Sequence, residues 1–264
     1  MVRDEGGYDG FVAEFYDHVP PYADRRDLEF YRALAAAAGG PVLELGCGTG
    51  RVMLPMLRAG AEVCGIDSSR GMLAVCVEKI AREPETVRRR AHLLLADMRN
   101  FALGRRFALA VAPFRSFQHL LTVEDELACL ACVRAHLNTG GRLVLDLFNP
   151  SLRFLIDPNR EEVLDEEAPF RMPDGRQVRR GYRIVNRDFA EQCSEVELIY
   201  RVGYPGGGED KLVHSFPMRW LYRFEAEHLL ARAGFAVEAV YEDHAGTPFS
   251  GKDGGELLLV ARRD

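Results

Sequence analysis

A glycine-rich run near the amino end has the residue types of a turn that holds a ligand against the backbone. It is Glu44-Leu-Gly-Cys-Gly-Thr-Gly50-Arg51 and includes the end of an apolar segment at 41–45. Glycine has no Cβ, so the backbone can approach a ligand closely, and the turn directs the amino end of the next helix at that ligand. The third glycine comes one residue too early for the Gly-x-Gly-x-x-Gly pattern of dinucleotide sites, and Arg51 stands in its place. This spacing disfavours a phosphate cradle.

Two aspartates stand at the ends of the next two apolar segments and could bind the same ligand. Asp67 follows residues 61–66, and Asp97 follows residues 91–96. In open sheets of parallel strands, ligands bind beyond the carboxyl ends of the strands, which is where the glycine-rich turn also lies. Either aspartate alone could instead cap a helix or a turn.

A candidate general base follows the fourth apolar segment. Residues 107–112 run into Pro113-Phe114 and then Arg115-Ser-Phe-Gln-His119. The unperturbed pKa of histidine is about 6.5, so His119 can take up a proton near neutral pH. The other interpretation is a histidine that is hydrogen-bonded at the start of a helix, and the sequence leaves both interpretations open.

Strand and helix patterns alternate through the first part of the chain, joined by short connections. Strands are predicted at 41–45, 61–66, 91–96, 107–112 and 142–148. Helices are predicted at 9–38 (broken by Pro20-Pro21), at 52–58, from a cap at Ser68-Ser69 through residue 80, and at 123–137, where residues 138–141 close the helix. The strands are almost continuously apolar, which is typical of parallel strands that are buried on both faces. This pattern predicts an α/β fold with a doubly wound, Rossmann-like sheet.

Residues 150–222 depart from this pattern and predict a small antiparallel β insert. Alternating apolar and polar residues indicate strands with one exposed face at 177–188, 191–204 and 211–222. A helix at 225–233 and strands at 236–241 and 256–261 then resume the α/β pattern. The predicted organisation is N-terminal helices and α/β core at 1–149, the insert at 150–222, and the rest of a seven-stranded core at 223–264.

The composition excludes some classes of function. The net charge of −6 disfavours a nucleic-acid partner, because an acidic chain repels phosphate. No segment approaches the roughly 20 apolar residues that span a bilayer, and the first residues lack an apolar signal core. A cytoplasmic protein without a membrane partner is therefore expected. Cys129 and Cys132 have the spacing of a metal or redox pair, but no second pair follows, so no metal is expected.

The segment Val42-Leu-Glu-Leu-Gly-Cys-Gly-Thr-Gly50 resembles the first motif of class I S-adenosylmethionine-dependent methyltransferases. Residues 65–69 with Met72 resemble the second motif of that family, residues 96–98 resemble the third, and residues 111–120 lie where its fourth is found. The resemblance covers most of the chain outside the insert. It implies an enzyme that transfers a methyl group from S-adenosylmethionine by direct displacement and releases S-adenosylhomocysteine.

The resemblance also implies roles for individual residues. The glycine-rich turn should face the methionine part of the cofactor, with Glu44 supporting the turn. Asp67 should accept hydrogen bonds from both ribose hydroxyls, and Asp97 should accept one from the adenine amino group. The residues expected at the cofactor are Glu44, Gly46, Cys47, Gly48, Asp67, Ser68, Met72, Asp97, Met98 and Pro113.

The acceptor of the methyl group is expected to be a small molecule. The insert is similar in layout to the lid of small-molecule N-methyltransferases that act on glycine or on nucleotide-linked aminosugars, which favours nitrogen over oxygen. Packing of a small core is the alternative explanation for the aromatic residues of the insert. An exposed insert sheet could also pair across a two-fold axis in a homodimer. The residues expected at the acceptor are Tyr16, Phe114, Arg115, Arg219 and Tyr222, with His119 as the catalytic base.

Two other functions compete with this one. A NAD-type oxidoreductase on a Rossmann-like sheet is disfavoured by the early third glycine and by Asp97, which that chemistry does not need. A non-catalytic S-adenosylmethionine-binding partner protein is disfavoured by a complete set of cofactor residues next to an enclosing insert.

Overall fold

The computed structural model describes residues 2–5, 7–23, 25–157 and 168–264, with side chains from residue 7 onward. The strands are β1 Val2–Glu5, β2 Val42–Leu45, β3 Val63–Asp67, β4 Ala91–Leu95, β5 Phe107–Ala112, β6 Leu137–Asn149, β7 Phe170–Arg171, β8 Gln177–Asp188, β9 Cys193–Gly203, β10 Glu209–Arg219, β11 Phe235–Tyr241 and β12 Gly255–Arg263. The α-helices are α1 Phe11–Phe15, α2 Pro20–Ala23, α3 Leu28–Ala37, α4 Met53–Arg58, α5 Arg70–Ala81, α6 Glu85–Arg88, α7 Val123–His136, α8 Leu152–Ile156 and α9 Arg223–Arg232. Short 3₁₀ helices are found at Tyr16–His18 and Ser116–His119. No helix in these described ranges is long and apolar enough to cross a membrane.

The larger sheet has seven strands in the order β11-β12-β6-β5-β2-β3-β4. Five neighbouring strands of this sheet, from β6 to β4 in that order, are parallel. β2 pairs with β3 and β5, β3 pairs with β4, and β5 pairs with β6. β12 is antiparallel to both β6 and β11. This confirms the predicted seven-stranded, doubly wound sheet. The strand order reverses between β2 and β5, and sheets of this kind bind their ligands in the crevice at that point.

Alternate residues of the central strands pack on opposite faces of this sheet. In β2, Leu43 and Leu45 belong to an apolar layer that also contains residues of α7 and α9. Val42 belongs to the layer that contains residues of α3 and α4. All three side chains are fully buried. Burial on both faces explains why the sequence of these strands is continuously apolar.

The smaller sheet has five strands in the order β1-β10-β9-β8-β7. Strands β7 to β10 are antiparallel, as predicted for the insert. β1 runs parallel to β10, from Val2 opposite Leu212 to Glu5 opposite Ser215. The sequence predicted no strand there, because three of its four residues are charged and no apolar alternation is present. The first strand of the chain therefore belongs to the insert sheet, although residues 1–149 were assigned to the core.

The N-terminal helices pack against the insert sheet. Phe15 and Val19 lie in one apolar cluster with Val178 of β8, Ile184 of β8 and Tyr200 of β9. Phe15 and Val19 are both fully buried, so each contributes the free energy of removing a large apolar side chain from water, about 1.5–3 kcal/mol. The N-terminal segment is thus anchored to the insert sheet by a shared apolar cluster.

Two connections differ from the predicted boundaries. Pro20 is the first residue of α2, so the proline pair starts a helix there; a missing amide hydrogen has no cost at that position. Residues 138–141 were expected to close the helix before the fifth strand, but they lie within β6. Successive partners of β5 on β6 jump from Leu137 to Arg142, so the intervening residues form a bulge in the strand.

Side-chain caps fix the start of two helices that border the site. Ser69 Oγ accepts a hydrogen bond from the Met72 amide at 3.0 Å and caps α5. Thr122 Oγ1 accepts from the Asp125 amide at 3.1 Å and caps α7. Caps of this kind typically contribute about 1 kcal/mol. The cap predicted at Ser68-Ser69 is confirmed, with Ser69 as the capping residue.

Candidate functional site

A cavity of about 930 Å³ lies between the carboxyl ends of the central strands and the inner face of the insert sheet. This volume is within the range of about 300–1,000 Å³ that is usual for ligand sites. All ten residues expected at the cofactor line the cavity, as do four of the six expected at the acceptor: Tyr16, Phe114, Arg115 and His119. The sequence motifs therefore meet at one site.

The glycine-rich turn after β2 is shaped by left-handed backbone and by a close neighbour. The φ angles of Gly46 and Gly48 are 65° and 53°, a region that glycine adopts without strain. A Cβ on Gly46 would lie 2.7 Å from the Cβ of Ser116, which no real pair of side chains tolerates. Only glycine at this position lets the turn approach the segment that follows β5.

Asp67 connects the turn to the start of α5. Its Oδ2 accepts from the Gly48 amide at 2.8 Å, and its Oδ1 accepts from the Ser69 amide at 2.8 Å. Burial raises the pKa of Asp67, and these amide hydrogen bonds partly offset that rise. Each carboxylate oxygen can accept more than one hydrogen bond. Two such oxygens on one carboxylate fit the vicinal hydroxyls of a ribose.

Asp97 lies at the rim of the cavity and is already paired. Arg99 donates to it from Nη2 at 2.6 Å and from its backbone amide at 2.8 Å, and Arg99 also contacts Asp125 at 3.1 Å. The hydrogen bond from Arg99 lowers the pKa of Asp97. Asp97 is thus an ionised acceptor that an adenine amino group would share with Arg99, and no sequence pattern had indicated that arginine.

A cluster of arginines and aspartates lies at the opposite side of the glycine-rich turn. Arg51 forms two hydrogen bonds to Asp27, at 2.6 and 2.7 Å, and Arg25 contacts Asp27 at 3.1 Å. Arg25 also reaches Asp146 at 3.3 Å, and His244 contacts Asp146 at 3.0 Å. Asp27, Asp146 and His244 could together ligate a metal ion, but the guanidinium of Arg25 already supplies the cation between the two carboxylates. Arg25 and Arg51 line the cavity, whereas Asp27 and Asp146 do not, so the wall at this end presents guanidinium groups.

Glu44 lies beneath the turn as a buried acid. Its side chain is about 2% exposed, and Oε2 has no hydrogen-bond partner among the described residues. Burial raises the pKa of Glu44 well above its ordinary value, although the charge of Arg51 opposes the rise. The acid form is therefore favoured, in keeping with the supporting role that the family resemblance implies.

The N-terminal segment at 7–23 closes the cavity over the core. Asp9 accepts from Ser69 Oγ at 2.8 Å, and Asp17 accepts from Thr49 Oγ1 at 2.7 Å. Both contacts fasten the segment to the loops that carry the predicted cofactor residues. The segment contributes Tyr8, Asp9 and Tyr16 to the cavity wall.

His119 ends a 3₁₀ helix after β5 and faces a tyrosine that the sequence did not indicate. Its Nε2 lies 3.2 Å from the hydroxyl of Tyr8, which is 111 residues away in the chain. Burial lowers the pKa of His119 to about 4 and raises the pKa of Tyr8 well above its ordinary value. Both groups are therefore neutral near pH 7, with Tyr8 able to donate to the imidazole.

Gln118, next to His119, joins the two connections between the insert and the core. Its Nε2 donates to the carbonyl of Phe148 at 3.2 Å and to that of Arg219 at 3.0 Å, and its Oε1 accepts from the Phe148 amide at 2.6 Å. The chain enters the insert just after Phe148 and returns from it just after Arg219. The Gln118 side chain is fully buried, so it fixes both connections beside the candidate base.

The insert supplies an apolar and aromatic wall to the other end of the cavity. The residues of β8, β9 and β10 that face it include Ile184, Val196, Leu198, Phe216 and Met218. From the core side, the Phe114 ring meets Tyr22 edge-on at 4.9 Å, and the guanidinium of Arg115 lies 4.5 Å from the Phe148 ring. This end can enclose an organic molecule and exclude water from it.

Arg219 and Tyr222 do not line the cavity, although the sequence predicted both at the acceptor. Phe216, Pro217 and Met218 of β10 line the cavity, whereas the side chain of Arg219 turns away from it toward α7. There its Nη1 contacts both carboxylate oxygens of Glu126 at 2.7 Å. Tyr222 lies beyond the end of β10, and its hydroxyl donates to a backbone carbonyl at 3.2 Å.

Replacing Arg219 with methionine is expected to lower the free energy of unfolding by about 3–5 kcal/mol, because it leaves a buried carboxylate without its partner. The Arg219 and Glu126 side chains are 7% and 0% exposed. Chemical denaturation measures the effect, and the KM for an acceptor should not change. The exposed pair of Arg142 and Glu238 is the control, where Arg142→Met should change stability by no more than about 1 kcal/mol. A raised KM at wild-type stability would restore the substrate-binding role of Arg219.

Comparison with known proteins shows that the region of the predicted motifs matches a protein family. A family described as a methyltransferase domain matches residues 42–141, which extend from β2 into β6. The matched region contains the glycine-rich turn, Asp67, Asp97 and His119.

Similar proteins extend the match over most of the chain. The cypemycin N-terminal methyltransferase of a Streptomyces species is 31% identical over 228 residues, which are 85% of this chain and 84% of that protein. A dTDP-3-amino-3,4,6-trideoxy-alpha-D-glucopyranose N,N-dimethyltransferase of Streptomyces venezuelae is 27% identical over 222 residues, 84% of this chain and 85% of its own. The solved structure of a SAM-bound amino pentose methyltransferase of Micromonospora echinaspora aligns with a TM-score of 0.64 and 26% identity, covering 92% of this chain and 90% of that one. The likeness therefore includes the insert as well as the core.

Proposed function

Because the chain belongs to the S-adenosylmethionine-dependent methyltransferases, we propose that it transfers the methyl group of this cofactor to the nitrogen of a small-molecule amine. The observation that carries the proposal is one continuous cavity of about 930 Å³. It extends from Asp67 and the glycine-rich turn, past His119, to the apolar face of the insert. Such a cavity can hold a donor and an acceptor side by side, away from water.

The core end of the cavity has the donor groups and acceptor groups that the cofactor requires. The carboxylate oxygens of Asp67 would hold the ribose hydroxyls, and Asp97 would accept from the adenine amino group. The guanidinium groups of Arg25 and Arg51 would donate hydrogen bonds to the carboxylate of the methionine part. Bound S-adenosylmethionine supplies a methyl carbon that its sulfonium has already activated, so the protein needs mainly to align the acceptor and exclude water.

The insert end of the cavity favours an amine without charge. Apolar surroundings disfavour an ammonium ion, so burial against Ile184, Leu198 and Phe216 lowers the pKa of a bound amine. The neutral amine has the free lone pair that attacks the methyl carbon. The tyrosines and Arg115 at this end can hold the polar groups of the acceptor.

The proton that the acceptor nitrogen releases is assigned to His119 and Tyr8. A neutral imidazole can accept a proton, and burial keeps His119 neutral through its lowered pKa of about 4. The Tyr8 hydroxyl already lies 3.2 Å from the imidazole, so it can pass its own proton to Nε2 as it receives one from the nitrogen. His119 is thus proposed as the base, in contact with the acceptor or acting through Tyr8.

The similar proteins support nitrogen as the methylated atom. One is named as an N-terminal methyltransferase and another for dimethylating a 3-amino sugar linked to dTDP. We therefore place aminosugars first among the acceptor classes, followed by other primary aliphatic amines. Alcohols of the same size should be poor acceptors.

Two measurements test this proposal. Calorimetric titration of the protein with S-adenosylhomocysteine should show binding, and NADH as a control should show none. Incubation with methyl-labelled S-adenosylmethionine and pairs of matched acceptors, such as glucosamine and glucose, should transfer label to the amine of each pair. Binding of NADH, or transfer to the alcohols alone, would contradict the proposal.

Three further properties are proposed: a homodimer, the absence of a nucleic-acid partner and a cytoplasmic location. The insert sheet has edge strands, β1 and β7, each with one strand neighbour among the described residues, which supports pairing of the sheet in a homodimer. The net charge of −6 supports an enzyme that acts on small molecules without a nucleic-acid partner. Analytical ultracentrifugation at micromolar concentration tests the dimer, and a monomer there would contradict it.

A further inference from the structure

The turn that carries Phe114 and Arg115 has an unusual backbone. Its φ angles are 50° at Phe114 and 67° at Arg115, so two successive residues with side chains adopt the left-handed conformation. Among the described residues, the one other non-glycine residue with positive φ is Gln192 in the insert. Residues adopt this conformation at a cost in free energy, and they keep it only where the surrounding structure holds them.

Asp146 holds both residues of this turn. Its Oδ2 accepts from the Phe114 amide at 3.1 Å, and its backbone carbonyl accepts from the Arg115 amide at 3.0 Å. Asp146 belongs to β6, the parallel neighbour of β5, and its side chain is fully buried. One residue of the adjacent strand therefore binds the amides of both left-handed residues.

The carboxylate of Asp146 is itself held from several directions. Tyr31 donates its hydroxyl at 3.1 Å, His244 contacts it at 3.0 Å, and Arg25 reaches it at 3.3 Å. Burial alone would raise the pKa of Asp146, but the hydrogen bond from His244 and the charge of Arg25 outweigh burial and lower it. Asp146 is thus a charged, immobile acceptor, and a charged acceptor binds an amide more strongly than a neutral one.

The turn sets one wall of the cavity and the start of the segment that ends at His119. The Phe114 ring lines the cavity, lies 4.7 Å from the guanidinium of Arg25 and meets the ring of Tyr22 at 4.9 Å. Arg115 precedes the 3₁₀ helix Ser116–His119 directly. A change of φ at the turn would move the ring and the helix together.

We propose that Asp146 is a positioning residue for methyl transfer, which keeps Phe114 and Arg115 in their left-handed conformation and so aligns the acceptor with the methyl donor. Asp146 does not line the cavity, so it acts through the turn. The inference rests on the proposed function, since alignment of an acceptor is what the turn would determine. A displacement of about 1 Å in such an arrangement can lower the rate by about 100-fold.

Two substitutions at this position separate positioning from stability. Asp146→Ala removes the acceptor of the Phe114 amide, whereas Asp146→Asn keeps an oxygen there. Both remove the charged partner of His244 and one of the charged partners of Arg25, so both should lower the midpoint of thermal unfolding. With an amine acceptor, kcat should fall by about 100-fold in Asp146→Ala and stay close to wild type in Asp146→Asn. Equal loss of kcat in the two variants, in step with their thermal stability, would overturn the proposal.

Tyr31→Phe and His244→Gln are the matched controls. Each removes one other contact of the same carboxylate and leaves the Phe114 hydrogen bond in place. Both should lower thermal stability and leave kcat unchanged. A loss of kcat in the controls as large as that in Asp146→Ala would assign the effect to the ion-pair cluster as a whole and overturn the proposal.

Hydrogen exchange of the wild-type protein tests the contact without an acceptor or a variant. The Phe114 amide should exchange as slowly as the amides of β5. Fast exchange of that amide would overturn the proposal even if Asp146→Ala does not fold. Slow exchange in a wild-type protein that methylates no amine would contradict the proposed function instead, and wild-type turnover in Asp146→Ala would contradict the positioning role alone.

Discussion

Replacing Asp67 with alanine is expected to weaken the binding of S-adenosylhomocysteine by at least about 100-fold. Two hydrogen bonds to an ionised carboxylate contribute about 1.5–3 kcal/mol each, and a loss of about 3 kcal/mol corresponds to roughly 100-fold in affinity. The substitution also removes the acceptor of the Gly48 and Ser69 amides, at 2.8 Å each, which loosens the glycine-rich turn and the start of α5. Calorimetric titration of the variant and the wild type measures the change.

Graded variants show whether the ribose assignment of Asp67 is right. Asp67→Asn keeps one carbonyl oxygen and should lose less affinity than Asp67→Ala. Asp125→Asn is the control, because Asp125 lies at the edge of the cavity and its side chain contacts Arg99 rather than the turn. Wild-type affinity in Asp67→Ala would show that this carboxylate does not hold the ribose.

The same carboxylate should make cofactor binding sensitive to acid. Burial raises the pKa of Asp67 above its ordinary 3.8, so its ionised form is lost at a higher pH than that of an exposed aspartate. Affinity of the wild type for S-adenosylhomocysteine should therefore fall as the pH is lowered through the acidic range, whereas the Asp67→Ala variant should show little of this dependence. The contribution of Asp67 to stability has the opposite pH dependence. The folded protein binds this proton more tightly than the unfolded chain does, so this contribution rises as the pH is lowered.

Replacing His119 with alanine is expected to lower kcat by about 100-fold or more while the affinity for S-adenosylhomocysteine stays close to wild type. General bases typically contribute 10²–10⁴-fold, about 3–5 kcal/mol of barrier. His119 lies between the cofactor end and the insert end of the cavity and contacts Tyr8, rather than any residue expected at the ribose or adenine. Steady-state kinetics and calorimetry of the same preparation separate the two effects.

Two comparisons identify what His119 contributes. His119→Asn can hydrogen-bond but is not basic, so recovery of turnover in that variant would assign orientation of the acceptor in place of proton transfer. Tyr8→Phe removes the hydroxyl at 3.2 Å and keeps the ring, so it should lose activity if the proton passes through Tyr8. Unchanged turnover in His119→Ala would rule out the catalytic role.

The pH profile gives an independent check on His119. Burial lowers its pKa from 6.5 to about 4, so the imidazole stays neutral and able to accept a proton from pH 8 down to about pH 5. No loss of kcat/KM from ionisation of His119 is expected in that range; the loss should begin below about pH 5 and reach half near pH 4. The lowered pKa of His119 also makes the free energy of unfolding depend on pH, because the unfolded chain takes up a proton below about pH 6.5 that the folded protein excludes. Stability should therefore fall as the pH is lowered from 6.5 toward 4.

The cofactor end of the site could be predicted because its information is local. Gly46, Asp67 and Asp97 each lie at or just after the carboxyl end of an apolar strand, and parallel strands bring these ends to one edge. Once the strands and their order along the chain were identified, the residues had to meet. The pairing of Asp97 with Arg99 was still missed, because a charged residue two positions away has no pattern that distinguishes a partner from a solvated surface charge.

The acceptor end could be predicted only in part, because its geometry depends on contacts between distant segments. The contact of Tyr8 with His119 spans 111 residues, and that of Asp146 with Phe114 spans 32. The sequence could not indicate that Arg219 lies outside the cavity lining, because alternation along a strand does not say which side chains face a cavity. β1 could not be found at all, since its pairing with β10 depends on the partner strand rather than on an apolar pattern of its own.

The three hydrogen bonds of Gln118 have a consequence for the exchange of acceptor specificity between related enzymes. The chain enters the insert at Phe148 and leaves it at Arg219, and both backbone positions meet on this one buried amide. The insert is thus attached to the core at two junctions, and one core side chain, Gln118, holds both of them. A chimaera in which a related insert replaces residues 150–218 would keep the contacts of Gln118 with Phe148 and Arg219, together with the 3₁₀ helix that ends at His119. A chimaera that also replaces Phe148 or Arg219 should disturb these contacts and the position of the insert on the core.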